Sequence, residues 1–290
     1  MITFRQFLTE GGHATEKFGT SRAGASDILK ALEVVAKVLG VQSKNLERNL
    51  LGSGHLILSG HKKDSGDIDI ALSDASMESV HGEMMKVVDG RGTLNKGTKV
   101  GSYAVPVGDK RVQVDLMFVP DVEWAKFIYS SEHGRKSKYP GAVRNIILMS
   151  AVSLTQKPGE DVVVKDNDQV VAKASRSLKL QGGLERLFKV AKVKKDGTRS
   201  TTLDKVEPAE VAKHVKGAAF SPKADIITDP TAVLTWLFGK GVTPDMARTP
   251  EQVIALIKKR LPNSEAVLRK AASELEKSKL PVPDELNATD

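Results

Sequence analysis

Asp67-Ile-Asp-Ile70 alternates acid and aliphatic residues, and a third acid, Asp115, lies within a second apolar run, Arg111-Val-Gln-Val-Asp-Leu-Met-Phe-Val119. In an extended chain, residues two apart share a face. Asp67 and Asp69 therefore project together, while Ile68 and Ile70 turn toward a core. If the two runs are neighbouring strands, three carboxylates meet at one point. Bare, such a cluster is costly, because each charge disfavours ionisation of the others. Divalent cations remove that cost, and carboxylate oxygens suit Mg2+ or Mn2+. Two such ions, about 4 Å apart, stabilise the entering and leaving oxygens of a phosphoryl transfer. Asp67, Asp69 and Asp115 are thus the candidate catalytic and metal-ligating residues, and an NTP the candidate substrate.

A triphosphate must also be cradled and its charge neutralised. Upstream of the acids, Gly52-Ser53 offers close backbone approach and a hydroxyl donor. Ser59-Gly60 is a competing, reversed pair. Lys62 and Lys63 supply cations in the intervening loop, and Ser65 sits two residues before Asp67. A lone Asp-x-Asp is common. The ordered series of Gly-Ser, basic loop, Ser65-Gly-Asp-Ile-Asp69 and a later strand Asp is the specific signal.

These side chains need a scaffold. Ser26-Asp27 opens, and Gly40 closes, a helix with Ile28, Leu29, Leu32, Val35, Ala36 and Leu39 on its buried side. Asp67–Leu72 reads as a strand and 78–88 as a helix. Val100–Val107 and Arg111–Val119 form a hairpin about Gly108-Asp109-Lys110. Residues 122–129 and 143–154 are helical, and a boundary is expected at Gln156–Gly159. Beyond it, Asp161–Lys165 and Gln169–Ala174 pair around Asp166-Asn-Asp168, and Lys192–Thr202 is loop-like. Three helices follow, opened by Asp229-Pro230, Thr249-Pro250 and Ser264. The expected fold is α/β (α+β). A leader and linker occupy residues 1–25, and a mixed-sheet catalytic domain flanked by helices spans 26–156. A mostly helical region with a hairpin, suited to acceptor binding, covers 157–290.

With the Gly-Ser, Asp-x-Asp and later Asp in this order, the segment resembles the DNA polymerase β-like nucleotidyltransferase superfamily. That resemblance implies contacts from Gly52 and Ser53 to the triphosphate. It also implies that Asp67 and Asp69 hold both metals, and that Asp115 completes the metal that activates the acceptor hydroxyl. The interval from Gly52 to Asp67 is longer than in family X polymerases and nearer that of tRNA CCA-adding enzymes. A narrower likeness covers about residues 45–155. It runs through Asp115-Leu-Met-Phe-Val-Pro-Asp-Val-Glu-Trp124, Phe127-Ile-Tyr129 and Ser137-Lys-Tyr-Pro-Gly-Ala-Val-Arg144, and is similar to nucleotidyltransferases encoded by tailed phages. It makes Lys138 and Arg144 candidate triphosphate contacts, both being cationic donors. Tyr139 and Trp124 read as core rather than base-stacking groups.

Bulk properties narrow the remaining classes. The chain has 290 residues, no cysteine and six histidines. Disulfides, thiolate nucleophiles and Cys-ligated zinc are excluded, and the histidines show no HExxH pattern. No apolar run is long enough for a membrane span, and a cytoplasmic protein is expected. The net charge is +8, and residues 171–220 alone carry 12 Lys/Arg against 5 Asp/Glu. Such a stretch meets phosphate backbones or is simply a solvated face, so RNA (tRNA-like) or DNA is the candidate partner. Aromatics are too few for a stacking platform. Residues 1–10 place Ile2, Phe4, Phe7 and Leu8 near one side of a helix, and Leu8-Thr9-Glu10 is similar to the cleaved triplet of phage head-targeting leaders. A docking helix is the other reading. Three functions remain open: nucleotidyl transfer to a nucleic-acid 3′ end, nucleotidylation of a protein or small molecule, and a non-catalytic virion-associated role.

Overall fold

In the computed structural model, the described residues are 14–73, 75–129, 137–157, 162–166, 169–194, 197–214 and 225–287. The leader at 1–10, Pro158-Gly159 of the expected boundary and the hairpin residues Asn167-Asp168 lie outside them.

Strand β1 (Thr20–Ser21) precedes helix α1 (Ala25–Leu39). At the start of α1 the Asp27 carboxylate accepts from the Gly24 N–H at 2.9 Å, which satisfies a donor outside the helix. At its end Gly40 adopts a left-handed conformation and donates to Ala36 O. Ile28, Ala31, Leu32, Val35 and Ala36 are its buried positions, spaced for one helical face. Short helices α2 (Ser43–Glu47) and α3 (Gly52–Leu58) then lead to β2 (Asp67–Leu72) and α4 (Met77–Val87). Strands β3 (Gly92–Asn95), β4 (Val100–Val107) and β5 (Lys110–Phe118) follow as antiparallel neighbours.

β2 pairs with β5 in parallel, over Gln113–Phe118 of β5. β1 takes the same edge of β5 at Arg111 and Val112, also in parallel. Parallel neighbours need a long crossover, and α4 with the β3–β4 pair supplies it. The result is a five-stranded mixed sheet with two unlike faces. Ile68, Ile70, Val112, Val114 and Leu116 turn to one face and share a core with α1. Asp67, Asp69, Gln113 and Asp115 turn to the other.

Helices α5 (Val122–Tyr129) and α6 (Gly141–Leu154) close this half. They match the expected 122–129 and 143–154 within two residues. The chain then forms β6 (Val162–Asp166), β7 (Gln169–Lys179), β8 (Gly183–Val190), β9 (Asp204–Val206), α7 (Pro208–His214) and β10 (Ile226–Ile227). The β6–β7 hairpin expected from sequence is part of a five-stranded antiparallel sheet, in which β9 and β10 both add to the free edge of β8. Helices α8 (Pro230–Phe238), α9 (Pro250–Arg260), α10 (Ser264–Lys277) and α11 (Asp284–Asn287) complete the described chain.

The largest apolar cluster crosses the region of the expected boundary. Trp124, Phe127, Ile128, Val143 and Ile147, from α5 and α6, pack with Leu178 and Leu184 of the second sheet and with Leu234, Val253, Ile257 and Leu268 of the later helices. Trp124 Nε1 donates to Leu180 O at 2.9 Å, so this buried indole is both packed and satisfied. Tyr139 is likewise buried, as the sequence predicts for both rings. Among the described residues, no helix is long and apolar enough to cross a membrane.

Candidate active site

The acidic face of the first sheet is assembled by strand register. Asp69 and Asp115 are direct partners across the parallel β2–β5 pair, and Asp67 faces Gln113. One carboxylate oxygen from each of Asp67, Asp69 and Asp115 lies within 4.8 Å of the others. The three acids singled out from sequence therefore converge, and they are close enough to hold a metal ion.

Neighbours orient two of the three. Gln113 Nε2 donates to both oxygens of Asp115 at 3.1 Å, while its own Oε1 accepts from Thr15 Oγ1 at 2.9 Å and from Thr15 N at 3.3 Å. Ser102, opposite Asp115 on β4, also hydrogen-bonds to it. Ser65 Oγ donates to Asp67 Oδ1 at 3.2 Å. Gln113, Thr15 and Ser102 carry no sequence signal of their own. Their roles follow from pairing register, which no spacing along the chain reveals.

The electrostatics are those of a crowded anionic site. Burial, then the charges of Asp67 and Asp115, hold the Asp69 carboxyl well above the usual carboxylate range. Burial pushes Asp115 up to about 6, with the charge of Asp67 adding, while hydrogen bonds from Ser102 and Gln113 pull the other way. Each shift measures how poorly the bare site tolerates its own charge. An all-oxygen set of this kind suits a hard divalent cation.

Gly52 explains how the chain enters the site. Leu51 N donates to Asp69 O and Ala71 N to Asn49 O, so the segment before α3 runs along the open edge of β2. This brings Gly52 against Asp69. A Cβ on Gly52 would lie 3.1 Å from Asp69 Oδ2, and its φ of 52° is left-handed. A side chain would meet both a steric and a backbone penalty here. Ser53 follows in α3, and its Oγ accepts from Lys62 Nζ at 2.6 Å. Lys62 and Lys63 are exposed. The competing Ser59 ends α3, donating its hydroxyl back to His55 O at 2.9 Å, and Gly60 follows it in the turn.

A cleft of about 740 Å3 opens over the three acids. The β3–β4 pair forms one wall with Thr93, Asn95, Lys96, Thr98 and Ser102, and Tyr129 of α5 also lines it. Lys96, 71% exposed at its side chain and 3.5 Å from Glu78, brings a cation to the cleft that sequence reasoning missed. Gly52 lines a second cleft, of about 650 Å3, with Lys44, Arg48, His55 and Lys126.

Two expected triphosphate contacts are placed elsewhere. Arg144 is fully buried in α6. Its Nε donates to Ala247 O at 2.6 Å, and its Nη1 to Phe127 O at 3.1 Å and Asn145 Oδ1 at 2.9 Å. Its guanidinium also stacks over the Phe127 ring, 4.1 Å from the centroid. Its Nη2 is buried without a hydrogen-bond partner, but the guanidinium lies in the interior and does not line the cleft over the acids, so the structure does not place Arg144 at that site. Lys138 is paired with Asp284 at 3.2 Å and does not line the cleft over the acids. Both residues are hydrophilic and flank a helix start, so sequence alone reads them as surface donors. Only packing shows one buried and the other paired.

No protein-family model, curated protein or solved structure matches the chain.

Proposed function

We propose that this protein is a metal-dependent nucleotidyltransferase that moves a nucleoside monophosphate from an NTP to an acceptor hydroxyl, most readily a nucleic-acid 3′ end. The observation that carries this reading is the meeting of Asp67, Asp69 and Asp115 within 4.8 Å at the floor of an open cleft. The residue types fit Mg2+ or Mn2+. The donors are all carboxylate oxygens, two of the three carboxyls are strained toward protonation without a cation, and Gly52 leaves room beside Asp69 that a Cβ would fill.

When bound, the divalent ions supply charge neutralisation for the triphosphate and for the oxygens entering and leaving phosphorus. The chain's own residues do the rest. Asp67 and Asp69, fixed on one strand, present their oxygens from a rigid sheet face. Gln113 and Ser102 hold Asp115 in one orientation. In the reaction, the acceptor oxygen forms a bond to the α-phosphorus, the bond from that phosphorus to pyrophosphate breaks, and the acceptor proton passes to Asp115. Lys96, which lines the cleft, is the cation placed to meet the pyrophosphate end.

The test is incubation of the full chain with Mg2+ or Mn2+ and each α-labelled NTP, against RNA, DNA and protein separately, with Asp67→Asn/Asp69→Asn as the comparison. Label is expected in nucleic acid and lost in the double variant. Label in protein instead would redirect the reading to protein nucleotidylation. No label in any acceptor, together with no detectable NTP binding, would overturn it.

A further inference from the structure

Beyond the cleft, the second sheet carries a row of like charges. Lys173 of β7 is the direct cross-strand partner of Lys189 on β8, and Lys189 is in turn the direct partner of Lys205 on β9. Directly paired residues share a face, so the three lysines form one row across three adjacent strands. At a strand spacing of about 4.8 Å, the row spans about 10 Å. The opposite face is the packed one, with Ala172, Ala174, Phe188, Val190 and Val206 in its core. Lys189 and Lys205 are exposed and Lys173 half-buried.

Like charges directly opposite one another destabilise a sheet. Three other cations of this region have acids: Lys192 meets Asp204 at 3.5 Å, Arg199 meets Asp166 at 3.7 Å, and Arg176 is held by Asp225. Among the described residues, no ion pair involves Lys173, Lys189 or Lys205. Three unneutralised cations kept in register at a folding cost point to an anion with repeated charges. A duplex backbone offers one negative charge roughly every 1.7 Å of its axis. An anionic membrane surface would favour aromatic wedges among the lysines. The outward neighbours on β7 and β8 are instead Ser175, Ser177, Glu185 and Leu187, none of them aromatic, and the two serines can donate to phosphate oxygens.

We infer that the Lys173–Lys189–Lys205 row is a binding surface for the phosphate backbone of a structured nucleic acid, engaged without regard to sequence. Naming that nucleic acid as the acceptor rests on the proposed transfer reaction, whereas the binding itself rests on the lysines alone.

The experiment is fluorescence anisotropy of the full chain with a labelled DNA duplex of about 20 base pairs across a KCl series. Wild type is compared with Lys173→Gln/Lys189→Gln/Lys205→Gln and with the triple Lys→Arg variant. Loss of three phosphate contacts should flatten the plot of log K against log salt by about 2.7 and weaken binding by roughly tenfold or more at low salt. The arginine variant should restore both, and Mn2+-dependent NTP binding should be unchanged in all three proteins. Equal affinity and slope in the glutamine variant would overturn the inference. So would lysine-dependent binding to phosphatidylserine vesicles without duplex binding. If the triple glutamine variant fails to fold, Lys189→Gln and Lys205→Gln singly should each flatten the slope by about 0.9, and unchanged slopes would overturn the inference. Lysine-dependent duplex binding without any nucleotidyl transfer would leave this surface standing and remove the proposed reaction.

Discussion

At the scale of single residues, the site is defined by charges held where they are unwelcome. A carboxyl whose folded pKa is raised gives stability that is fully present below its unfolded value and lost as pH rises through the folded one. For Asp115 that window runs from 3.8 up to about 6. A gap of about two pH units corresponds to about 3 kcal/mol at most. Metal-free protein is therefore expected to lose thermal stability between about pH 4 and 7 through this site, and Asp115→Asn to flatten that loss. Added Mn2+ should raise Tm more at pH 7.5 than at pH 5, where protons already neutralise the acids, and calorimetry at both pH values checks this. A rise equal at both, or equal in the Asn variant, would argue against a metal at the acids. Gly52 gives a second residue-scale prediction. Gly52→Ala puts a Cβ 3.1 Å from Asp69 Oδ2 at a left-handed φ. It should destabilise the fold by about 1–2 kcal/mol and weaken Mn2+ binding, both readable by denaturant titration and calorimetry.

At the scale of elements, the strand and helix patterns were largely legible. The acid–aliphatic alternation marks β2, the Gly108 turn between two apolar runs marks the hairpin of β4 and β5, and α1 follows from its apolar stripe and its glycine stop. Thr249-Pro250 opens α9 as a capping box. Thr249 Oγ1 accepts from Gln252 N, and Gln252 Oε1 from Thr249 N at 3.1 Å. Thr249→Ala should cost about 1 kcal/mol in chemical denaturation. Less legible were β3, β8, β9 and β10. β3, β9 and β10 are short and β8 carries mixed polarity, so no local period identifies them, and β9 and β10 also pair with a strand distant along the chain. Arg144 shows the same limit. Its charge reads as surface, yet the carbonyls of Phe127 and Ala247 and the Phe127 ring enclose it in the joint between α5, α6 and the approach to α9. Arg144→Leu should lose about 2–4 kcal/mol of stability by stranding those carbonyls. A change confined to KM for NTP, with stability intact, would restore it as a substrate contact.

At the scale of the whole molecule, the apolar cluster joining α5 and α6 to the second sheet and to α8, α9 and α10 makes the later half a structural partner of the earlier one. Residues 1–155 alone would expose Trp124, Phe127, Val143 and Ile147, which the later helices bury. That fragment is expected to melt without cooperativity or to aggregate, whereas the full chain should unfold with these helices and the cleft coupled. A sharp, reversible transition of the fragment at the full chain's Tm would contradict this.

The sequence by itself determined that acids two apart on a strand must share a face and that the adjoining isoleucines must face a core. Those conclusions depend on local geometry, and local geometry is written in residue order. Only the tertiary structure decided that β5 lies beside β2 in the register that sets Asp69 against Asp115, that Gln113 and Ser102 orient Asp115, and that Gly52 abuts Asp69. It likewise decided that Arg144 is enclosed and that three lysines scattered over residues 173–205 stand in one row. These depend on which strands pair and in which register, and that choice is made by burial summed over the whole chain.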